Sequence, residues 1–346
     1  MIDFKIRMQR VAKLVSIYAV IVVAILFFLE LFSYWRNTVN GCQKPFLYNS
    51  QMLKNESYSK LKGFGFDVID LLLGWGSSPI SIKNKGYQVE NGIATLQTNC
   101  QCQDTLTVLI TGGSTTDIVL HPENWPSELI KLFETKRQCA KLYIAATGGY
   151  NTGQELIKLI RDGVELKPKL HISYSGVNDC IHSMFISLYE QSFFRKFKDA
   201  KSTSGILPNT FFYLNQLLFS ENNMYIYDEV PIDPNEFWMD NMKIMHGIAK
   251  EYNYKFVGLL QPANGIGKYS DIAIQRKNEM YISNYQNHYP LMKKGVIAHL
   301  DYLKDLTAIF DTCKGKVYID DCHIETPYQK LVAVEVYKVI QMTIEK

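Results

Sequence analysis

The chain has 346 residues, of which 47% are hydrophobic and 21% are charged, and its formal net charge is +3 at pH 7. This length and composition are sufficient for a large buried core, and we expect one large domain with insertions. Because the basic residues are scattered along the chain, the charge does not indicate a nucleic-acid-binding surface.

The N-terminal region contains a long apolar segment, residues 14–35, whose one charged residue before Arg36 is Glu30. A helix of this length reaches roughly 33 Å at about 1.5 Å per residue, which is enough to cross a bilayer. Basic residues precede the segment: Lys5, Arg7, Arg10 and Lys13. This charge bias predicts a single-pass membrane protein with residues 1–13 in the cytoplasm and the rest extracytoplasmic, in the periplasm or at the cell surface.

A cleaved signal peptide is the alternative, but no small-x-small motif ends the apolar segment. The stretch from Val39 to Cys42 faintly resembles a lipoprotein cleavage box, yet Arg36 and Asn37 separate it from the apolar residues. We therefore expect an uncleaved signal anchor over residues 14–35.

The cysteines allow disulfides if most of the chain is extracytoplasmic. There are seven, at positions 42, 100, 102, 139, 180, 313 and 322. An odd number leaves at least one unpaired, and the pairing cannot be read from the sequence. The pair Cys100 and Cys102 lacks a second cysteine or histidine pair at ligand spacing, so we expect no zinc or other metal site.

Residues 36–104 are polar and turn-rich, and we interpret them as a stalk that leads into the domain. The remainder, residues 105–346, has a more regular pattern. An apolar run rich in Val, Ile and Thr begins at Thr105, ends at two glycines and is followed by Ser114. This pattern predicts a buried strand that delivers Ser114 into a tight turn, with a helix opening at Asn124.

Two further apolar runs, residues 141–146 and 170–175, also end in glycine turns. A helix over 154–161, with Ile160 among its buried residues, is predicted after the first of these turns. Strand, turn and helix units in succession predict an α/β fold with a parallel sheet and helices on both faces. The glycine turns then share the carboxyl edge of the sheet, where ligands bind in such folds.

Beyond Asp179 the pattern is interrupted, and we predict insertions at about 181–234 and 264–300. The second is rich in tyrosines that either line a groove or pack in the interior. Between the insertions a helix and a strand are predicted. The last predicted strand, residues 316–319, precedes the sequence Asp-Asp-Cys-His that ends at His323.

These edge residues form a candidate catalytic set. A serine hydroxyl becomes a nucleophile when a histidine removes its proton, and a carboxylate fixes that histidine. His323 follows a predicted strand at the same edge as Ser114, and Asp320 lies three residues before it; Asp321 is a competing carboxylate. Each residue alone is more typical of an ordinary turn, and their common position at one edge indicates acyl-transfer chemistry.

Acyl transfer also needs hydrogen-bond donors for the oxygen on which negative charge builds up. The candidates are the backbone N–H of Ser114, the backbone N–H of Gly149, and the side-chain amide of Asn178. Gly149 and Asn178 lie in the turns after the second and third predicted strands, so both are expected at the same edge as Ser114.

The order of four motifs, GGSTT, GGYNTGQEL, GVND and DDCH, resembles the blocks of the SGNH, or GDSL-type, hydrolases, and in particular a membrane-anchored bacterial member. The resemblance implies Ser114 as nucleophile, Asp320 and His323 as its partners, and Ser114, Gly149 and Asn178 as the oxyanion hole. It also implies a three-layer α/β/α sandwich and action on esters of sugars, lipids or small acyl groups without a metal or cofactor. The sequence departs from the family in having Gly113 where many members have aspartate.

We expect a serine esterase that removes acyl groups, most plausibly O-acetyl, from an extracytoplasmic carbohydrate or a related small ester. Two alternatives are an O-acyltransferase that modifies a cell-surface glycan with the same residues, and an inactive glycan-binding scaffold. The membrane anchor also suggests association with membrane-embedded polysaccharide machinery.

Overall fold

The computed structural model describes residues 18, 22, 24–29, 31–32, 73, 76–100, 104–182 and 233–345. The chain divides into two units, Met1–Lys60 with Tyr189–Tyr227, and Leu61–Leu188 with Asp228–Lys346. Within the first unit, all of the described residues are helical. Part of the predicted anchor over 14–35 and most of the predicted insertion over 181–234 lie outside the described residues. No helix in the described part of the chain is long and apolar enough to cross a membrane.

The second unit is built on a seven-stranded sheet with the order β1-β2-β4-β3-β5-β6-β7. The strands are β1 (Gln88–Glu90), β2 (Ile93–Gln97), β3 (Leu106–Gly112), β4 (Ala140–Ile144), β5 (Leu170–Ser175), β6 (Lys255–Leu260) and β7 (Leu303–Asp305). Strands β3 to β7 run parallel, whereas β2 is antiparallel to both β1 and β4. The predicted α/β class with a mostly parallel sheet is therefore confirmed.

Helices cover the sheet on both faces. They are α1 (Pro79–Asn84), α2 (Trp125–Thr135), α3 (Thr152–Lys158), α4 (Val177–His182), α5 (Pro234–Glu251), α6 (Ile272–Lys277), α7 (Glu279–Ala298) and α8 (Thr326–Ile344). Successive residues of a strand point to opposite faces. In β3, Val108 and Ile110 accordingly pack in the core that contains α2 and α8, while Leu109 packs in the core that contains α5 and α7.

Two segments join the fold differently from the sequence expectation. Residues 88–97, assigned to the stalk, form β1 and β2 at one end of the sheet. Much of the predicted insertion over 264–300 is α7, which packs against the sheet layer through Tyr285, Tyr289 and neighbouring apolar residues. Both tyrosines are fully buried, so they pack in the interior and do not line a groove.

The predicted strand over 316–319 is wrong. Its pairing is a single bridge between Tyr318 and Ile324, and the last strand of the sheet is β7. The segment satisfies its backbone without a neighbouring strand: the Val317 N–H donates to the Tyr269 hydroxyl, and the Ile319 N–H donates to the His323 carbonyl. An apolar run that meets its hydrogen-bonding needs in this way has no requirement for a sheet neighbour.

The predicted burial of Ile160 is also wrong, since its side chain is 57% exposed. Helix α3 ends at Lys158 and continues as one wider π turn, Leu159–Gly163. A π turn holds more residues than an α turn, and it therefore rotates the following side chains away from the expected face.

Burial in the two cores predicts which substitutions lower the stability of the fold. Leu142→Ala on β4, which is fully buried, should lower the free energy of unfolding by about 2–5 kcal/mol because it leaves a cavity in the packed core. The exposed-site control Ile160→Ala should change it by less than about 0.5 kcal/mol. Chemical denaturation followed by fluorescence measures both, and equal effects would contradict the assigned packing.

Candidate active site

Ser114 lies in the turn that follows β3, at the carboxyl edge of the sheet. The turn is closed by the N–H groups of Thr116 and Asp117, which both donate to the Gly113 carbonyl. Asn124 fixes the turn further because its side-chain amide donates to the carbonyls of Ser114 and Asp117, each at 3.1 Å. Asn124 stands at the start of α2 but forms no side-chain cap, so this amide serves the serine turn and not the helix.

Ser114, His323 and Asp320 form one hydrogen-bonded chain. The Ser114 Oγ lies 2.7 Å from His323 Nε2, and His323 Nδ1 lies 2.8 Å from Asp320 Oδ2. All three side chains are partly exposed. The hydroxyl is therefore reachable from solvent while its proton is in contact with a base.

Asp320 also builds the loop that presents the histidine. Its Oδ1 accepts hydrogen bonds from the backbone N–H groups of Cys322, at 3.0 Å, and His323, at 2.7 Å. The competing carboxylate, Asp321, is turned into the interior, where the Tyr285 hydroxyl donates to it. The structure therefore pairs the imidazole with Asp320 and not with Asp321.

His323 and Asp320 shift each other's pKa in opposite directions. Burial lowers the pKa of His323, but the hydrogen bond and negative charge of Asp320 outweigh burial, so the pKa lies above its usual value of 6.5. Burial acts in the opposite sense on Asp320, and the hydrogen bond from His323 holds the pKa of that carboxyl below its usual range. The two shifts agree in describing a pair that favours an imidazolium beside a carboxylate.

Gly149 and Asn178 lie in turns that touch the serine turn. Gly149 has φ +81°, a left-handed conformation that suits glycine. The Gly148 N–H beside it donates to Asp117 Oδ2 at 3.0 Å. The Asn178 side-chain amide donates to the Tyr150 carbonyl at 2.8 Å, which occupies one of its two N–H groups. The turns after β3, β4 and β5 are therefore linked at one edge.

Gly113, where the family resemblance leads one to expect aspartate, has a steric explanation. A Cβ at this position would overlap the amide nitrogen of Asn178 and would lie 3.3 Å from the Tyr150 carbonyl oxygen. The missing side chain allows the Asn178 amide to approach the backbone immediately before Ser114.

The sequence reading missed Asp117, which links the serine turn to the glycine turn. Its Oδ1 accepts from the N–H groups of Val119 and Leu120, and its Oδ2 accepts from Gly148. Burial raises the pKa of Asp117 to about 6, against the lowering effect of these three donors. A carboxylate three residues after the serine was visible in the sequence, but nothing in the local pattern marks it as buried.

A buried polar cluster behind the serine turn was also missed. Glu155 on α3 accepts from the hydroxyls of Thr111 and Ser173, and Thr111 also contacts His171 Nε2 at 3.0 Å. Burial raises the pKa of Glu155 to about 8 and that of Asp179 to about 6. The Glu155 carboxyl is therefore mostly protonated at neutral pH, which avoids burying a full charge. No pattern in the sequence marks Glu155 as buried.

One group of side chains meets the distance requirement for a metal among the described residues. Asp320, Cys322 and His323 each place one ligand atom within 4.8 Å of the others. Burial raises the pKa of the Cys322 thiol well above its usual value, whereas a metal ligand must be a thiolate. His323 is already hydrogen-bonded to both Asp320 and Ser114, so the donor chemistry fits a proton-transfer chain better than a metal centre.

The free thiols among the described cysteines are Cys100, Cys180, Cys313 and Cys322, while Cys139 is disulfide-bonded. Cys139 immediately precedes β4, at the opposite edge of the sheet from Ser114. The disulfide therefore plays no part in the candidate site.

Comparison with known proteins gives the following result. No protein-family model matches the chain, and no curated protein matches it in sequence. The acetyl xylan esterase AlAXEase is similar in structure, with 14% identity, a TM-score of 0.43, and coverage of 68% of this chain and 100% of that chain.

Two other solved structures are similar to the same extent. An acetylxylan esterase from Geobacillus stearothermophilus is 12% identical with a TM-score of 0.40, covering 67% of this chain and 93% of that chain. A GDSL-like lipase from Bacteroides thetaiotaomicron is 12% identical with a TM-score of 0.40, covering 68% and 88%. Likeness at this level assigns neither an activity nor a substrate to this chain.

The electrostatics of the site can be tested without a substrate. In an NMR titration of the full chain, the His323 imidazole should have a pKa above 6.5. Asp320→Asn should lower that pKa, because the raising effect of the carboxylate is removed while burial of the ring remains. Asp321→Asn is the matched control and should lower the pKa of His323 less. A larger effect at Asp321 would contradict the observed pairing.

Proposed function

We propose that the chain is a serine esterase that transfers an acyl group from an ester to Ser114 and then to water. The observation that carries this proposal is the continuous hydrogen-bonded chain from the Ser114 hydroxyl through His323 to Asp320. A neutral hydroxyl is a weak nucleophile, and a histidine held by a carboxylate is the standard means of activating it.

In the first half of the reaction, Ser114 Oγ attacks the ester carbonyl carbon while its proton passes to His323 Nε2. Asp320 stabilises the imidazolium that results. The tetrahedral intermediate collapses when the bond to the alcohol oxygen breaks, and His323 returns the proton to that oxygen. The products are a free alcohol and an acyl ester of Ser114.

In the second half, water takes the place of the alcohol. His323 removes a proton from the water as it attacks the acyl ester, and then returns the proton to Ser114 Oγ. A carboxylic acid leaves, and the enzyme regains its starting protonation state.

Three donors support the oxyanion formed in both halves. The backbone N–H groups of Ser114 and Gly149 have no acceptor among the described residues, and the Asn178 amide keeps one N–H beyond its bond to Tyr150. A preorganised donor of this kind contributes about 3–4 kcal/mol to the stability of the transition state.

The substrate class and location belong to the same proposal. An O-acetylated carbohydrate is favoured by the resemblance of the four motifs to a family that acts on such esters. Extracytoplasmic placement is supported by the apolar segment 14–35 and the basic residues before it. No described residue indicates a cofactor requirement for the two half-reactions, because each proton has a donor and an acceptor within the chain and substrate.

Ser114→Ala should abolish acetate release from an aryl acetate by the full-length protein, and should abolish labelling by a fluorophosphonate probe. Ser127→Ala is a suitable control because its hydroxyl, at the start of α2, donates to the Pro122 carbonyl and not to the site. Probe labelling located by mass spectrometry identifies the serine. A wild-type protein that neither turns over ester nor is labelled would contradict the proposal and favour a binding scaffold.

Gly113→Ala should lower kcat by about 10²-fold, because the new Cβ displaces the Asn178 amide and removes one oxyanion donor. The matched control is Gly247→Ala on α5, where a Cβ has open space and should leave kcat unchanged. Thermal unfolding checks that both variants are folded. Full activity in a folded Gly113→Ala protein would exclude Asn178 from the oxyanion hole.

A further inference from the structure

We infer that His121 contacts the alcohol part of the ester, and that this part is a hydroxyl-rich group such as a sugar ring. The inference rests on the proposed esterase function and adds a residue that determines substrate specificity. His121 lies in the loop between the Ser114 turn and α2, outside the motifs that carry the family resemblance.

The position of His121 is set by geometry close to the reacting atoms. The centroid of its ring is 5.4 Å from that of His323, and the two rings are tilted by 55°. Its backbone is held at both ends, because its N–H donates to the Asp117 carbonyl and its carbonyl accepts from the Asn124 N–H. Both partners are residues that also hold the serine turn, so the backbone of His121 is tied to that turn.

The alcohol must lie on this side of the site. His323 Nε2 returns a proton to the leaving oxygen, and that oxygen must therefore come within about 3.2 Å of Nε2. The group attached to that oxygen then lies beside the side chains that adjoin the His323 ring. Among the described residues, the exposed aromatic ring adjoining His323 is that of His121.

The chemistry of His121 matches a hydroxyl group. The residue is exposed, and its ring nitrogens have no hydrogen-bond partner among the described residues. A neutral imidazole offers one donor and one acceptor, and a hydroxyl group offers the same pair. Sugars present several hydroxyls on adjacent carbons, so one of them can bond to His121 while its neighbour leaves toward His323.

The surrounding charges favour the neutral form of His121. Partial burial of the His121 ring lowers its pKa, the positive charge of a protonated His323 lowers it further, and the Asp320 carboxylate acts in the opposite direction. The net pKa lies below the usual value of 6.5. His121 therefore stays uncharged while His323 carries the proton, and it does not compete for Asp320.

The residues that line the cavity beside the His121 and His323 rings are also suited to a carbohydrate. His121, His323, Thr115 and Ile319 share the lining of a cavity of about 50 Å³. This is room for a small polar group, since a cavity needs only about 10–15 Å³ by the same measure to hold one water molecule. Ile319 is 53% exposed and offers an apolar surface to the C–H face of a sugar.

The test compares two esters that share an acetyl group and differ in the alcohol. An aryl acetate has an apolar leaving group, whereas a monoacetylated methyl hexoside has a hydroxyl-rich one. In the full-length protein, His121→Ala should lower kcat/KM for the sugar ester relative to the aryl ester by about tenfold, mainly through KM. This corresponds to the loss of one hydrogen bond. His121→Gln retains a donor and an acceptor and should recover most of the preference.

The matched control is His299→Ala. His299 precedes β7 at the opposite edge of the sheet, so this substitution should leave the ratio of the two kcat/KM values, sugar ester to aryl ester, unchanged. Equal losses for both esters in His121→Ala would show that the ring only positions His323, and would overturn the inference. An unchanged ratio, or a wild-type protein that cleaves the aryl ester but no sugar ester, would overturn it as well. A wild-type protein that is no more active than Ser114→Ala on either ester would instead refute the esterase proposal itself.

Discussion

The hydrogen bond between Ser114 and His323 is the contact on which the rest of the site depends, and it joins residues 209 positions apart in the chain. A bond of 2.7 Å leaves little tolerance, so both loops have to be held firmly. On the serine side, Asn124 and Asp117 bind the backbone of the turn. On the histidine side, one oxygen of Asp320 folds the loop while the other orients the ring. The same carboxylate therefore fixes both the position and the protonation of the base.

This arrangement requires polar groups to be buried beneath the edge of the sheet that carries Ser114. Asp117, Glu155 and Asp179 are all nearly or completely buried, and their hydrogen bonds hold β3, β5 and α3 around the serine turn. Burial raises the pKa of each of these carboxyls, which shows that the protein interior disfavours their charged forms. A rigid polar support of this kind is consistent with a site that must keep its donors in place before substrate arrives, although apolar residues would pack at lower cost.

The fold could be predicted where the sequence pattern is local and repeated. The strand residues of β3, β4, β5 and β6 form apolar runs that end in turns, and their parallel order follows from the connecting helices. The errors occur where hydrogen bonds that the apolar pattern does not reveal decide the outcome. Residues 316–319 resemble a strand but satisfy their backbone through Tyr269 and His323, and Ile160 is exposed because a π turn follows α3. Neither the hydrogen bonds of residues 316–319 nor the π turn leaves a periodic signal in the sequence.

The sequence by itself determined that a serine, a glycine and an asparagine each follow an apolar strand, and hence that these three residues share an edge of the sheet. It determined this because the carboxyl ends of parallel strands lie at one side whatever the details of packing. Only the tertiary structure decided that His323, which follows a run that is not a strand of the sheet, lies beside Ser114. It also decided that Asp320 and not Asp321 meets the imidazole, that Gly113 admits the Asn178 amide, and that Asp117 links two turns. These outcomes depend on ångström-scale distances between residues remote in the chain, and side-chain direction at that scale is set by three-dimensional packing and not by the local order of residues.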